Sequence, residues 1–495
     1  MDSNARRCPR QHDILGGRVM KKTVEYTSPY TFKGAIPLRQ AIPLGLQHVL
    51  AMFVGNLTPL MIICGICGIS ADDPALYVTL LQNAMLAAGI ITLIQLWSVG
   101  PVGGQVPIIM GTSSGFLGVM RGVAANPAMG GGVLAYGAII GAGMVGGLCE
   151  AALGFFIKPL RRFFPPVVTG TVVLAIGLSL IGVGVNSFAG GSGAEDFGSI
   201  PNLLLGLLVL AVIVALKHFT KGITSTSCIL CGIIAGYIAA SLMGMVMPHQ
   251  LTGADGAAYT AAWYVNWGKI AEASWFSIPR ILPVKPVFNL HAILSILIMF
   301  LVTAVETIGD ISGCIEGGMG REATAKELSG GVICDGVGSF ISSLFSSLPT
   351  TSFSQNVGLV TMTKVVNRMA LTCGAVFLVL AGLSPKLAAV ISIMPQSVLG
   401  GAAVMMFASI AVSGIKLLTK HGITNRVVTI VSIAMGLGYG LGATANALAG
   451  VPEAVRLVFG GSGIVPAAIL AIALNIIIPK EAEDLEGEQA AGGQR

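Results

Sequence analysis

Charge is scarce in this sequence. Of its 495 residues only 10% are Asp, Glu, Lys or Arg, while 54% are hydrophobic, and the mean hydropathy is +0.84. A soluble globule of this length needs more polar surface to cover its core, so that class is excluded and a polytopic membrane protein is expected. The formal charge of +6 does not mark a nucleic-acid surface, because the Lys and Arg lie beside apolar runs rather than on one amphipathic face. Complete metal sets are lacking too. Cys64/Cys67 and Cys228/Cys231 have C-x-x-C spacing, but no His or acid nearby completes a tetrahedral site, and they are read as small core residues. No disulfide framework, cofactor or resident metal is expected. Neither a nucleophile–base constellation nor a selectivity-filter repeat is present, which argues against an enzyme and against a channel. The N-terminal stretch has no cleavage-like site. It is polar and basic (Arg6, Arg7, Arg10, Arg18, Lys21, Lys22, Lys33, Arg39) and is expected to stay in the cytoplasm.

What is plentiful is apolar sequence and glycine, 67 residues of it, which suits close helix contacts and broken helices in a membrane. Stretches near the spanning length of about 20 residues divide the chain into fourteen expected spans. The first seven lie at 41–66, 76–97, 103–120, 131–157, 166–186, 201–217 and 223–247; the second seven lie at 291–313, 331–347, 351–364, 369–383, 396–413, 427–448 and 456–478. The fold class is therefore all-α polytopic. With the N-terminus inside, the joints carrying Lys158, Arg161 and Arg162; Lys217 and Lys221; Arg321 and Lys326; Lys364 and Arg368; Lys416, Lys420 and Arg426; and Lys480 all become cytoplasmic, as the positive-inside bias asks. Opposite joints hold Asp72, Asp73, Glu195 and Asp196, with Arg121, Lys386 and Arg456 as exceptions and Lys269, Arg280 and Lys285 in the stretch 250–286. Both termini are expected inside.

The resulting division is a basic tail (1–40), a seven-span repeat (41–247), an outer linker (248–290), a second seven-span repeat (291–479) and a C-terminal tail (480–495). An odd span count per half means inverted repeats, the plan of many secondary transporters. The linker holds Trp263, Trp267 and Trp275, and its W-Y-V-N-W-G is expected to rest at the outer interface.

Two spans at matching positions break the apolar pattern. The third reads P-V-G-G-Q-V-P-I-I-M-G-T-S-S-G-F-L; around the tenth, residues 347–368 are dense in hydroxyls and amides and hold no acid. Non-helical backbone at membrane depth is tolerated only where protein buries it or where it lines a cavity, so paired interrupted spans point to a transporter site. V-P-I-I-M (106–110) and T-S-F-S (351–354) are expected to be extended and to meet at mid-membrane. Thr112, Ser113 and Ser114 are placed to bond across helices or to touch a ligand.

Acids inside spans are costly and carry a functional expectation. Glu306 and Asp310, four apart, share one face of the eighth span. Their mutual repulsion predicts that at least one carries a proton at neutral pH. Asp335 opens the expected ninth span, as a coupling residue or a helix cap. His48, after Gln47 in the first span, is a structural imidazole or a direct participant. Glu150 has no evident partner and is read as packing.

Together these residues resemble the nucleobase-ascorbate transporter family: Gln355-Asn356-Val357-Gly358 followed by Thr363-Lys364, the Gln47-His48 pair, Glu306-x-x-x-Asp310, and D-G-x-G at Asp335, all in order across residues 36–480. The resemblance implies a core of spans one to four and eight to eleven, a gate of spans five to seven and twelve to fourteen, homodimers, an elevator-like motion and symport with a proton at the cytoplasmic (inner) membrane. It implies that Glu306 and Gln355 bind the base, with Thr112, Ser113, Ser114, Phe353, Ser354 and Asn356 around it, and that Asp310, Asp335, Glu306 and His48 serve proton coupling. Gln355, with Asp310, resembles the oxidised-purine branch carrying xanthine or urate, and Thr112, where a bulkier amide would narrow the pocket, leaves room for urate. Stacking is assigned to Phe116 or Phe353. The alternatives are a uracil or other nucleobase carrier and an anion exchanger of the same architecture.

Overall fold

Backbone hydrogen bonding inside a bilayer favours helix, and helix dominates the computed structural model, which describes residues 26–157, 165–191, 194–221, 223–226, 228–252, 258–419, 422–444, 447–451 and 463–480. Lys158, Arg161, Arg162, Lys420, Arg456, most of the basic tail and the start of the last expected span lie outside these residues. The first half contains α1 (Leu38–Ile66), α2 (Pro74–Trp97), strand β1 (Met110–Thr112), α3 (Leu117–Ala124), α4 (Gly132–Gly154), α5 (Pro166–Phe188), α6 (Ile200–Phe219) and α7 (Cys228–Val246). A hairpin, β2 (Gln250–Thr252) with β3 (Ala258–Thr260), leads to the second half: α8 (Leu290–Met319), α9 (Ala325–Leu344), β4 (Thr350–Ser352), α10 (Ser354–Thr363), α11 (Arg368–Gly382), α12 (Pro385–Ser392), α13 (Gln396–Leu418), α14 (Asn425–Ile433) and α15 (Ile464–Ile477).

Seven of these helices are long and apolar enough to cross a membrane alone (α2, α4, α5, α6, α7, α8 and α13), and α11 with α12 makes an eighth if that pair is one span. Of the remaining expected spans, the first and ninth are single helices, and the third, tenth and thirteenth hold interrupted structure. The third and tenth are each a strand followed by a short helix, and the thirteenth passes from α14 into a π-helical turn at Ala434–Tyr439. The eleventh, expected at 369–383, is α11, and a second helix follows at an 82° bend, because Pro385, pre-set for a first helical turn, starts α12 after the N-cap Ser384. The ninth begins earlier than 331. Thr324 accepts from the Glu327 amide while the Glu327 side chain accepts from the Thr324 amide, a reciprocal cap that starts α9 at Ala325 and leaves Asp335 in mid-helix, not at its opening. In the linker, Trp263 is fully buried rather than interfacial, while Trp267 and Trp275 are exposed.

Close helix contacts carry the packing. On α5 and α13, a Cβ built on Gly414 would lie 2.4 Å from the Leu174 amide nitrogen and one on Gly170 would lie 2.9 Å from that of Leu418. No larger residue fits there at unchanged spacing. The outer pair α6 and α7 is least buried, 28% and 22% against 72% for α2, and so forms the periphery.

The described part of the N-terminal segment is fastened to the second half. The amides of Val366 and Asn367 donate to the Pro29 carbonyl, at 3.2 and 3.1 Å, and that of Arg368 donates to Phe32, at 2.9 Å. The Arg368 guanidinium lies 3.8 Å over the Trp97 ring and 5.8 Å from that of Phe32, a cation–π arrangement.

Gly414→Ala is expected to destabilise the protein by about 1–3 kcal/mol through overpacking, lowering the thermal midpoint measured on detergent-purified protein. Gly65→Ala, where a Cβ would meet nothing within 4 Å, is expected to leave that midpoint unchanged or raise it.

Candidate substrate site

The interrupted spans meet as an antiparallel pair, with Met110 opposite Ser352, Gly111 opposite Thr351 and Thr112 opposite Thr350. The Phe353 amide donates to Ile109 at 3.1 Å and the Ser113 amide to Pro349 at 2.9 Å, extending the pairing at both ends. Extended structure therefore falls at 110–112 and 350–352 rather than at 106–110 and 351–354. Pro107 has no amide to give a ladder, and Ser354 already belongs to the first turn of α10. Gly111 is required here: a Cβ on it would lie 2.6 Å from Met52 Cε and 2.8 Å from both Asn56 Oδ1 and Phe353 Cε2. Its absence lets Asn56 of α1 accept from the Thr112 amide at 2.7 Å.

Around this crossing opens a small pocket. Thr112, Ser113, Ser114 and Gly115 line one side, Thr351, Ser352 and Phe353 another, and Glu306 of α8 faces in between them. Ile176 of α5 and Ile410 of α13 close it with apolar surface. The Thr112 hydroxyl is buried and has no hydrogen-bond partner among the described residues, so it is open to a ligand. Ser113 Oγ instead accepts from the Gly115 amide at 3.2 Å and shapes the turn. Phe353, not Phe116, supplies the aromatic wall. Phe116 is buried against Phe300, with ring centroids 4.6 Å apart in an edge-on arrangement. The side chains of Ser354 and Gln355 lie outside those described; their backbone opens α10 beside the cavity.

Behind the lining, acids and hydroxyls form one buried network. Thr307 Oγ1 donates to Asp335 Oδ2 and lies 3.2 Å from both Thr351 Oγ1 and Ser352 Oγ. Thr351 Oγ1 also donates to Asp335, at 3.2 Å, and Ser352 Oγ donates to Asp310 Oδ2 at 2.7 Å. Asp335 is thus a fully buried acceptor in mid-helix and not a cap. His48 Nδ1 lies 2.5 Å from Asn356 Oδ1, and Asn356 Nδ2 donates to the Pro107 carbonyl at 3.3 Å. Asn356 and His48 therefore tie α1 and α10 to the segment before β1. Neither is among the residues that line the pocket, and their hydrogen bonds hold the start of α10 in place. Sequence reading passed over Asn56, Thr307, Ile176 and Ile410, and gave Thr351 and Ser352 a backbone role only. The one signal for Thr307 was its place next to Glu306 in V-E-T-I-G-D.

The family model described as "Permease family" matches residues 39–447. The chain is 35% identical to a putative purine permease of Clostridium perfringens (strain 13 / Type A), over 94% of this chain and 96% of that one. It is 36% identical to the uric acid permease PucK of Bacillus subtilis (strain 168), over 88% and 95%, and 31% identical to the xanthine permease XanP of Escherichia coli (strain K12), over 91% and 95%. Among solved structures, the transmembrane domain of the cyanobacterial bicarbonate transporter BicA is similar with a TM-score of 0.53 at 15% identity, covering 89% of this chain and 97% of that one. SLC26A9 is similar with a TM-score of 0.56 at 12% identity, covering 89% and 66%; these two likenesses concern the fold. A paired-strand crossing that carries a carboxylate-lined cavity, read with these matches, places the chain in the nucleobase-ascorbate transporter family, as a permease and not an enzyme.

Proposed function

We propose that the chain is a proton-coupled symporter that imports oxidised purines, xanthine or urate, across the cytoplasmic membrane. The observation that carries this reading is the placement of Glu306 and the unpartnered Thr112 hydroxyl in one cavity walled by Phe353. An oxidised purine presents adjacent N–H and C=O groups on a flat ring. A carboxylate accepts from the N–H, a hydroxyl donates to the carbonyl, and an aromatic face stacks on the ring. Gln355, at the start of α10, is assigned the complementary amide contact. The relatives named for uric acid and xanthine support this substrate class.

Coupling is assigned to Glu306, Asp310 and Asp335. Ser352 and Thr351 hydroxyls bind Asp310 and Asp335 on one side while the same residues line the cavity. A hydroxyl donates to a carboxylate but accepts from a carboxylic acid. Protonation therefore reverses the hydrogen bonds of the strand that forms the site wall, and His48 holds the adjoining helix through Asn356. The cavity is walled on one side by α8 and the crossing, and on the other by Ile176 and Ile410 of the closely packed α5–α13 pair. Movement of the first group past the second is the elevator step in this reading. Fourteen spans in two inverted repeats, cytoplasmic termini and a homodimer complete the proposal.

In proteoliposomes, labelled xanthine or urate is expected to accumulate only under an inward proton gradient, and competition by uracil in preference to both would overturn the substrate assignment. Glu306→Gln is expected to weaken binding at least tenfold, for loss of a charge-assisted hydrogen bond of roughly 1.5–3 kcal/mol, with expression retained; titration calorimetry reads this directly. Thr112→Asn is expected to narrow the cavity and reduce urate uptake more than xanthine uptake, measured as the ratio of the two initial rates.

A further inference from the structure

Glu150 of α4 is not among the residues lining the cavity, yet it is fully buried on a helix long and apolar enough to cross a membrane. Its Oε1 lies 3.0 Å from Thr303 Oγ1 of α8, and its Oε2 has no hydrogen-bond partner among the described residues. Thr303 has one proton to give and three acceptors in reach: Glu150, the Met299 carbonyl at 3.1 Å and the Phe300 carbonyl at 3.2 Å. When that proton goes to a carbonyl of its own helix, Thr303 offers Glu150 a lone pair, and only a carboxylic acid can complete the bond. One turn along α8, about 6 Å, Thr307 makes the corresponding contact to Asp335, whose Oδ1 is likewise buried and unpartnered among the described residues.

Among the described residues, none facing Glu150 supplies a counter-charge. From α8 comes Glu306, with Asp310 one turn beyond it, and from α9 comes Asp335. The charged side chains that act on Glu150 are Asp335 and Glu306, both acids, and Asp310 acts on Asp335. Arg121 of α3 is exposed, and Lys285 reaches α4 through its carbonyl at Gly137, more than three turns from Glu150. Two ionised carboxylates in one uncompensated buried cluster are strongly disfavoured, whereas one shared proton relieves both.

We propose that Glu150 and Asp335 form a proton-holding pair beside the substrate cavity, linked by Thr303 and Thr307, and that Glu150 is a further coupling residue which the substrate does not touch. This rests on the proton-coupled reading above. The site takes up a proton onto a Glu150 or Asp335 carboxylate oxygen from one side and releases it to the other, with no other bond made or broken.

The test compares wild type with Glu150→Gln in proteoliposomes loaded for two assays: exchange of labelled against unlabelled xanthine at equal pH, and accumulation of xanthine under an inward proton gradient without sodium. Exchange within threefold of wild type together with an accumulation ratio at least tenfold lower is the expected result. Unchanged accumulation by Glu150→Gln overturns this proposal alone. Equal loss of exchange and accumulation also overturns it, as the mark of a purely structural side chain. Wild-type accumulation indifferent to the proton gradient, or absent until sodium is added, overturns the proposal and the proton-coupled reading together. A measurement independent of that variant's folding uses Thr303→Val: infrared spectra are expected to show a carboxylic acid carbonyl band that moves when the Thr303 hydroxyl is removed. A spectrum with no such movement overturns the proposal.

Discussion

Everything at the centre of this protein depends on peptide groups that cannot be left unpaired away from water. A helix satisfies its own, but two segments here leave helix at membrane depth, and each does so only because the other receives its donors and acceptors over Met110–Thr112 and Thr350–Ser352. An unsatisfied peptide group there costs several kcal/mol, so neither segment is stable in this form alone. The crossing in turn dictates local composition. Gly111 is bare so that Asn56 and Phe353 can approach, and Pro107 precedes the ladder at a point where no amide is needed.

The same shortage of water explains the chemistry around the crossing. Three threonines and a serine stand between three carboxyls, and each hydroxyl is both donor and acceptor, so small side chains join the carboxyls into one network. Such a cluster is sensitive to a single proton, because one added hydrogen redirects several bonds that share atoms. The cavity lies directly on this network through Thr351 and Ser352.

Much of this arrangement was legible in the residues alone. Apolar runs announced the long helices, and glycine, proline and hydroxyls at 101–115 and 347–358 announced the crossing, because breaks in an apolar run have few explanations. Glu306 and Asp310 stood out by their cost. What was not legible depended on distance in the chain. Thr307 meets Thr351 and Ser352 more than forty residues away, and Glu150 meets Thr303 at a separation of 153; no local pattern marks such a pair. Asp335 was displaced toward a helix start because T-A-K-E at 324–327 was not read as a reciprocal cap. Phe116 and Phe353 could not be ranked without knowing that Phe300 occupies the face of the first.

The fastening of residues 29–34 onto 366–368 has a topological consequence. The junction between α10 and α11 does not complete its own peptide bonding; carbonyls from more than three hundred residues earlier do so, and Asn367 Nδ2 adds bonds to Thr31 and Gly34. The two halves are therefore laced together at their edges and are not exchangeable modules. The opening stretch of the first is a missing piece of the second, and a cut through the linker at 248–290 would separate the chain without separating the structure.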